Sequence, residues 1–388
     1  MYSNNINRRI RIMDCSDCKQ KCCMAVLILI VAILSAVMGI MAPIVIMTFS
    51  SDYFVTFMIT LELFILFGLA WIFVVKDKSF PQKWKLILDL GISNAFMALF
   101  ILYSSDPTRT PPVMQSTLTA LTVVPAVLMR YCVFGKEHVY FDKVLNVVSI
   151  ILLVASVAIA GYPLASDIEH VDLMSIIWSV VYLVGICILT WYNVSQEKYV
   201  RLTETEYINT TDREKLDNKI ILSFFSRIPM LIIVICAFGV EYVLVLNNET
   251  SPLLRFNESF YEAFTQLKSG LILQGFVLTY FVLFFSAIYL NAISTSYHMI
   301  LTVISNPAVA LFFTIFPSLN PGIQYPLWVT ISSLILSISS VLFWIAGESQ
   351  FFKKKCKKTK LSSCGKTENK QLREHFISHL SCGTEYKI

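Results

Sequence analysis

Charge is scarce in this chain: Asp, Glu, Lys and Arg make up 15% of its 388 residues, against about a quarter in soluble domains. No glycine-rich phosphate loop appears, and no His/Glu metal motif. No paired catalytic groups stand at recognisable spacing, which makes a membrane-embedded enzyme the weakest class, and no cofactor or metal is expected. Ten cysteines are present, yet none falls in a loop that the charge pattern places on the luminal side, so no structural disulfide is expected. A cleavable signal peptide is also lacking. The first apolar run is a full span behind a basic flank of 23 residues, and it is expected to act as a signal anchor.

What the chain has in excess is apolar surface, 56% of residues against roughly 45–50% in soluble proteins. A bilayer core of ~30 Å needs roughly 20 apolar residues per helix. Ten stretches reach that length, at 24–47, 53–75, 85–103, 113–133, 144–163, 172–192, 219–243, 270–290, 293–317 and 325–347. They predict an all-α integral membrane protein with ten transmembrane helices. Alternating them from a cytosolic N-terminus puts 27 of the 31 Lys and Arg on one side and three, Arg109, Arg255 and Lys268, on the other. Cytosolic loops accumulate Lys and Arg, so both termini are expected in the cytosol. The sequons at Asn248 and Asn257 then fall in a luminal loop as N-glycosylation sites, while those at Asn193 and Asn209 stay unmodified. The net charge of +5 reflects this topology rather than nucleic-acid binding, and the basic Lys353–Lys360 tail suits anionic lipid.

Ten spans divide into five and five, and an odd number per half forces the halves into opposite orientations, the inverted-repeat plan of many transporters. The expected organisation is a head over 1–23, repeats over 24–163 and 164–347, and a basic tail over 348–388. Pro125 and Pro307 occupy equivalent places in the fourth and ninth spans. Paired helix interruptions of this kind point to a substrate site, although prolines are common in membrane helices generally. Between the seventh and eighth spans, Leu253, Phe256, Phe260, Phe264 and Leu267 recur at helical spacing behind Ser251-Pro252. This predicts an amphipathic surface helix over 251–268.

Intramembrane charges are costly and need a partner or a cavity. Glu62, in the middle of the second span, is the first candidate for a protonatable coupling residue; the alternative is an ion pair with Arg227. Asp89 stands near Ser93 and Asn94, with Lys85 four residues earlier as a structural partner. Arg227 either receives a substrate anion or neutralises an acid on a neighbouring helix. His298 titrates near neutrality or is an ordinary interfacial residue. Gln115, Ser116, Thr119 and Thr122 make the fourth span polar, as a cavity lining or as helix-to-helix hydrogen bonds. In the head, Cys15 and Cys18 precede Cys22 and Cys23; the last two are candidate acylation sites, with free thiols or a zinc site as the other readings. Tyr199-Val200-Arg201-Leu202 matches a tyrosine-based sorting signal.

The stretch from Leu88-Asp89 through Thr108-Arg109-Thr110 and Gln115-Ser116 to Pro125 resembles the third-to-fourth helix hairpin of the chloroquine-resistance-transporter-like family, within the drug/metabolite transporter superfamily. Ser223-Phe224-Phe225 resembles the start of that family's seventh helix, and Ser294-Thr295 to Asn306-Pro307-Ala308-Val309-Ala310 its ninth. The resemblance implies a cavity between inverted halves and proton-coupled export of peptides, amino acids, thiols or cationic drug-like molecules from vacuolar or lysosomal compartments. By position, Asp89 would be the family's third-helix acid, and Pro125 and Pro307 its paired prolines. The luminal loop lacks the cysteines of close members, and Asn306 replaces the usual glycine before Pro307. The expected partners are a small-molecule substrate, protons and membrane lipid, in a monomer or homodimer. A nucleotide-sugar exchanger of the Golgi or ER and a non-transporting receptor or scaffold are the alternatives.

Overall fold

The computed structural model describes residues 26–76, 78, 81, 83–135, 144–165, 173–205, 212–239, 251–293, 295–319 and 325–362. Among these the chain is helical, with helices α1 (Val26–Thr48), α2 (Asp52–Val74), α3 (Trp84–Ser104), α4 (Pro112–Ala120), α5 (Val123–Phe134), α6 (Leu145–Ala165), α7 (Leu173–Thr205), α8 (Asp212–Cys236), α9 (Pro252–Thr265), α10 (Leu267–Ile293), α11 (Thr295–Ile315) and α12 (Leu327–Ser362). Nine helical stretches among the described residues are long and apolar enough to cross a membrane; α4 and α5 count together as one, and in α11 the apolar run is the shorter Ser305–Ile315. Large apolar side chains such as Ile65, Phe73, Ile151, Val180, Ile335 and Leu342 lie exposed on the outer helix faces. An aqueous surface rarely tolerates so much contiguous apolar area. The chain is a multi-pass integral membrane protein.

Local signals explain the boundaries. Ser51 caps α2 by accepting from the Phe54 backbone N–H at 3.1 Å, and Asp52 follows in the first turn, where the helix dipole favours a carboxylate. Pro125 cannot donate to the Leu121 carbonyl, and the fourth span breaks there. The chain tightens through i to i+3 bonds, Leu121 N to Leu118 O and Thr122 N to Thr119 O, before α5 resumes. Gly135, at φ 81°, ends α5 in a conformation that L side chains rarely adopt. Pro307, by contrast, sits inside a continuous α11.

Between the expected spans 172–192 and 219–243 the described residues are helical, 193–205 continuing α7 and 212–218 opening α8. α7 runs 33 residues, about 50 Å at 1.5 Å per residue, and overshoots an apolar core by several turns. Tyr199 and Val200 are buried on this extension, so the apparent sorting signal is packed inside the fold rather than displayed. The surface helix is present as α9, capped by Ser251 and opened by Pro252. Ser259 fastens it to the α1–α2 turn by hydrogen bonds with the Ser50 hydroxyl and the Ser51 N–H, both at 3.1 Å. Phe256 packs on Tyr53, Phe54, Phe57 and Phe238, whereas Leu253, Phe260, Phe264 and Leu267 remain exposed.

Helices pair across the halves of the chain: α2 with α8, α4 with α11, and α6 with α12. The α6–α12 pair is zipped by hydroxyls, Ser149 to Ser340 at 2.8 Å and Ser156 to Ser337 at 2.7 Å. The α3–α8 pair approaches so closely that a Cβ on Gly91 would lie 2.6 Å from the Ser226 carbonyl oxygen. These packings leave a space in the middle of the bundle.

Candidate functional site

That space is a cavity of about 240 Å³ bounded by α1, α2, α3, α4, α7, α8, α10 and α11; α6 and α12 contribute nothing to its wall. The side walls are apolar and aromatic, with Met38, Met97, Tyr192, Phe276, Tyr280 and Phe284 among them. Polar groups come mainly from α4, α7 and α11. Thr119 shares a hydrogen bond with the Tyr182 hydroxyl at 3.0 Å. The Ser116 hydroxyl donates to the Asn306 carbonyl at 2.7 Å, and the Asn306 amide returns a bond to the Ser116 carbonyl at 3.0 Å. Gln115 holds the α3–α4 turn in place by donating to the Ser105 and Thr110 carbonyls at 2.9 and 2.6 Å. Among the described lining residues there is no Asp, Glu, Lys or Arg.

Both ends of the bundle carry charge instead. Where α1 meets α2, Arg109 bonds Asp52 at 2.5 Å, donates to the Tyr103 carbonyl and stacks its guanidinium on Trp178. At the opposite end the cavity floor is an amide network. Asn291 donates to Asn193 at 2.8 Å and to Gln196 at 2.5 Å, while its carbonyl oxygen meets His298 Nδ1 at 3.1 Å. One turn beyond sits Glu197, fully buried, bonded to Arg130 of α5 at 3.2 Å, to Arg201 at 2.6 Å and to the Thr295 backbone N–H at 3.0 Å. The carboxylate therefore neutralises two guanidinium groups and caps the N-terminus of α11, tying together elements from both halves.

Of the residues singled out from sequence, Gln115, Ser116, Thr119 and His298 line the cavity. Glu62 lies outside it, half-buried between α2 and α10, where it accepts from Gln274 at 3.0 Å; it makes no pair with Arg227. Asp89 also lies outside. Its carboxylate joins α3 to α7 by accepting from Trp191 Nε1 at 3.1 Å and Ser195 at 2.8 Å, and Lys85 is not its partner. Ser93 bonds back to the Asp89 and Leu90 carbonyls, and Asn94 is buried with neither side-chain polar atom bonded. Thr122 bonds the Thr119 carbonyl at the helix break, and Pro125 and Pro307 shape their helices without facing the space. Asn257 is exposed on α9; Asn248, Cys22 and Cys23 fall outside the described residues, as does the end of the basic tail.

Arg227 is fully buried on α8. Its guanidinium carbon lies 4.2 Å from the Phe284 ring centroid, with Phe67 and Tyr280 at 5.6 and 6.0 Å, and Nη1 donates to the Met230 sulfur at 3.0 Å. Nε and Nη2 have no hydrogen-bond partner among the described residues. Met230, Tyr280 and Phe284 all line the cavity, so one layer of side chains separates this cation from the space.

The aromatic wall, Asn291 and Glu197 were not anticipated. Phe and Tyr in an apolar span carry no signal that separates a lining from a core. The run Asn193, Gln196, Glu197, Arg201 does carry one, since its spacing of three and four places these polar groups along one helix face. No protein-family model matches the chain, and no curated protein matches it.

Proposed function

We propose that this protein is a secondary transporter of small organic solutes. The observation that carries the reading is the cavity, set mid-bundle among helices from both halves, with an ion pair toward one end and an amide network toward the other. A scaffold has no need of such a space, and flux is what separates a transporter from a receptor. The pairing of α2 with α8, α4 with α11 and α6 with α12 supports the ten-span, 5+5 inverted repeat, because in these three pairs a helix meets its counterpart five spans on. The resemblance to the chloroquine-resistance-transporter-like family points the same way. In that topology the Glu197 end is cytosolic and the Asp52–Arg109 end luminal, in an endolysosomal or vacuolar membrane.

The lining narrows the solute class. A cationic drug needs a carboxylate or an electron-rich cage free of competing positive charge, and the wall offers no acid while holding Arg227 behind its aromatic side. The volume lies below the roughly 300–1,000 Å³ of drug-sized pockets, which favours amino-acid- or dipeptide-sized molecules over nucleotide sugars. Hydroxyls and amides at Thr119, Tyr182, Asn193 and Asn306 supply orientation, and the aromatic wall supplies apolar contact. Uptake into proteoliposomes containing the full chain tests the reading, with a panel of amino acids, short peptides, glutathione and nucleotide sugars, with and without a pH gradient. Saturable movement of an amino acid, peptide or thiol is the expected result. Folded protein that moves nothing would return the receptor reading.

A further inference from the structure

Arg227 presents an unusual combination: a guanidinium with no exposed surface and, among the described residues, no acidic partner and no hydrogen-bond acceptor on one edge. Burying a charge costs several kcal/mol unless it is compensated. The Phe284, Tyr280 and Phe67 rings contribute cation–π attraction over the faces of the group, and the Met230 sulfur is only a weak acceptor for Nη1. The side-on edge formed by Nε and Nη2 meets neither. Two parallel N–H bonds on that edge match the oxygen spacing of a carboxylate, which is why arginine is the usual receiver of planar oxyanions.

Glu62 is the carboxylate that sequence would supply for this edge, and it is committed to Gln274 on the outer side of α2. Glu197 is committed to Arg130, Arg201 and α11. Met230, whose sulfur meets the neighbouring Nη1, lines the cavity and is an unbranched side chain with three rotatable bonds that can swing aside at small cost. We infer that the Nε/Nη2 edge of Arg227 is a subsite for the carboxylate of the solute, with the Tyr280–Phe284 wall receiving its apolar body. This rests on the transporter reading for its biological meaning, but the binding it describes does not require flux.

The test uses the purified full chain in detergent, with thermal stabilisation and equilibrium binding read for N-acetyl-phenylalanine, its uncharged amide N-acetyl-phenylalaninamide, and phenyl phosphate. The acid is expected to bind about tenfold or more tighter than the amide, the range for hydrogen bonds to a charged group. Arg227→Lys should keep part of that preference and Arg227→Met should abolish it while amide binding persists. The acid–amide comparison in the unsubstituted protein stands even where Arg227→Met fails to fold. Equal binding of acid and amide, a preference retained in Arg227→Met, or no binding of any acid overturns the inference. Stronger binding of phenyl phosphate than of the acid also overturns it, in favour of a phosphate subsite. Uptake of the acid at an unchanged rate in Arg227→Met would refute the subsite and leave the transporter intact. Arg227-dependent acid binding without uptake would do the reverse.

Discussion

Replacing Glu197 by Gln gives the most direct measure of what closes the end of the cavity. Gln keeps the shape and one acceptor, so the bond from the Thr295 N–H, 3.0 Å long, survives as a neutral one. The charge is lost, and with it the compensation for Arg130 and Arg201, whose side chains are 9% and 24% exposed. Removing one partner of a buried ion pair costs about 3–5 kcal/mol. Arg201 is a quarter exposed and can rehydrate, which brings the expectation to the lower end, about 3 kcal/mol. Reversible unfolding in mixed micelles provides the readout. Arg201→Met alone should cost no more than about 1 kcal/mol, because its pair is partly screened. Glu197→Gln with Arg130→Met should cost less than the two single changes added together, by about 1–3 kcal/mol of coupling. A Glu197→Gln protein within about 0.5 kcal/mol of wild type, a shift no larger than that of an ordinary surface change, would refute the argument that this carboxylate locks α5, α7 and α11. Strict additivity with Arg130→Met would refute the pairing specifically.

Other substitutions test other parts of the structure. Gly91→Ala gains up to about 1 kcal/mol of helix propensity but forces a methyl against the Ser226 carbonyl, so a net loss of about 1–2 kcal/mol in the same unfolding assay is expected. Net stabilisation would mean that α3 and α8 are not so close. Asn306→Ala should cost about 0.5–1 kcal/mol, the range for an interhelical hydrogen bond in a membrane protein; adding Ser116→Ala should cost about as much again, since the Ser116 hydroxyl donates to the Asn306 backbone carbonyl, which the first substitution leaves in place. Glu62→Gln and Asp89→Asn should leave proteoliposome uptake at the wild-type rate, because both carboxylates lie off the cavity. Loss of uptake in Glu62→Gln without loss of folded protein would restore it as a coupling residue.

The helical spans were legible from hydropathy because a membrane helix must be apolar around most of its circumference, a constraint that survives without any tertiary information. The break before Pro125 and the capped surface helix at Ser251-Pro252 were legible for a similar reason, since each is a local backbone effect. Arg227 and Glu62 show where that kind of reading stops. Both stand in apolar spans at comparable depth, and pairing them is the economical guess. Which neighbour each side chain meets depends on the rotation of α2 and α8 about their axes, and rotation is set by packing contacts such as Gly91 against Pro229 that hydropathy does not encode. The polar fourth span was read either as a lining or as helix-to-helix hydrogen bonds, and Ser116 and Thr119 do both, lining the cavity while bonding to α11 and α7. The end of α7 was misread because an amphipathic extension beyond the bilayer looks, residue by residue, like a polar loop.

In the transporter reading proposed above, the distribution of charge has a physical consequence for how the cavity would work. An acid or base inside a space that opens to water on one side at a time is hydrated and dehydrated in each cycle, at a cost of several kcal/mol per ion. Here the permanent charges at the two ends form Asp52–Arg109 and the Glu197 cluster, where each ion keeps a partner. The cavity itself is left with hydroxyls, amides and rings, groups that a passing solute can replace water around without leaving a bare charge behind. Arg227 is the exception, held against aromatic faces within one side chain of the space, and an incoming carboxylate would bring its own compensation with it. A neutral solute would leave that edge as it is, so the acid–amide difference measures how much of the recognition depends on this one cation.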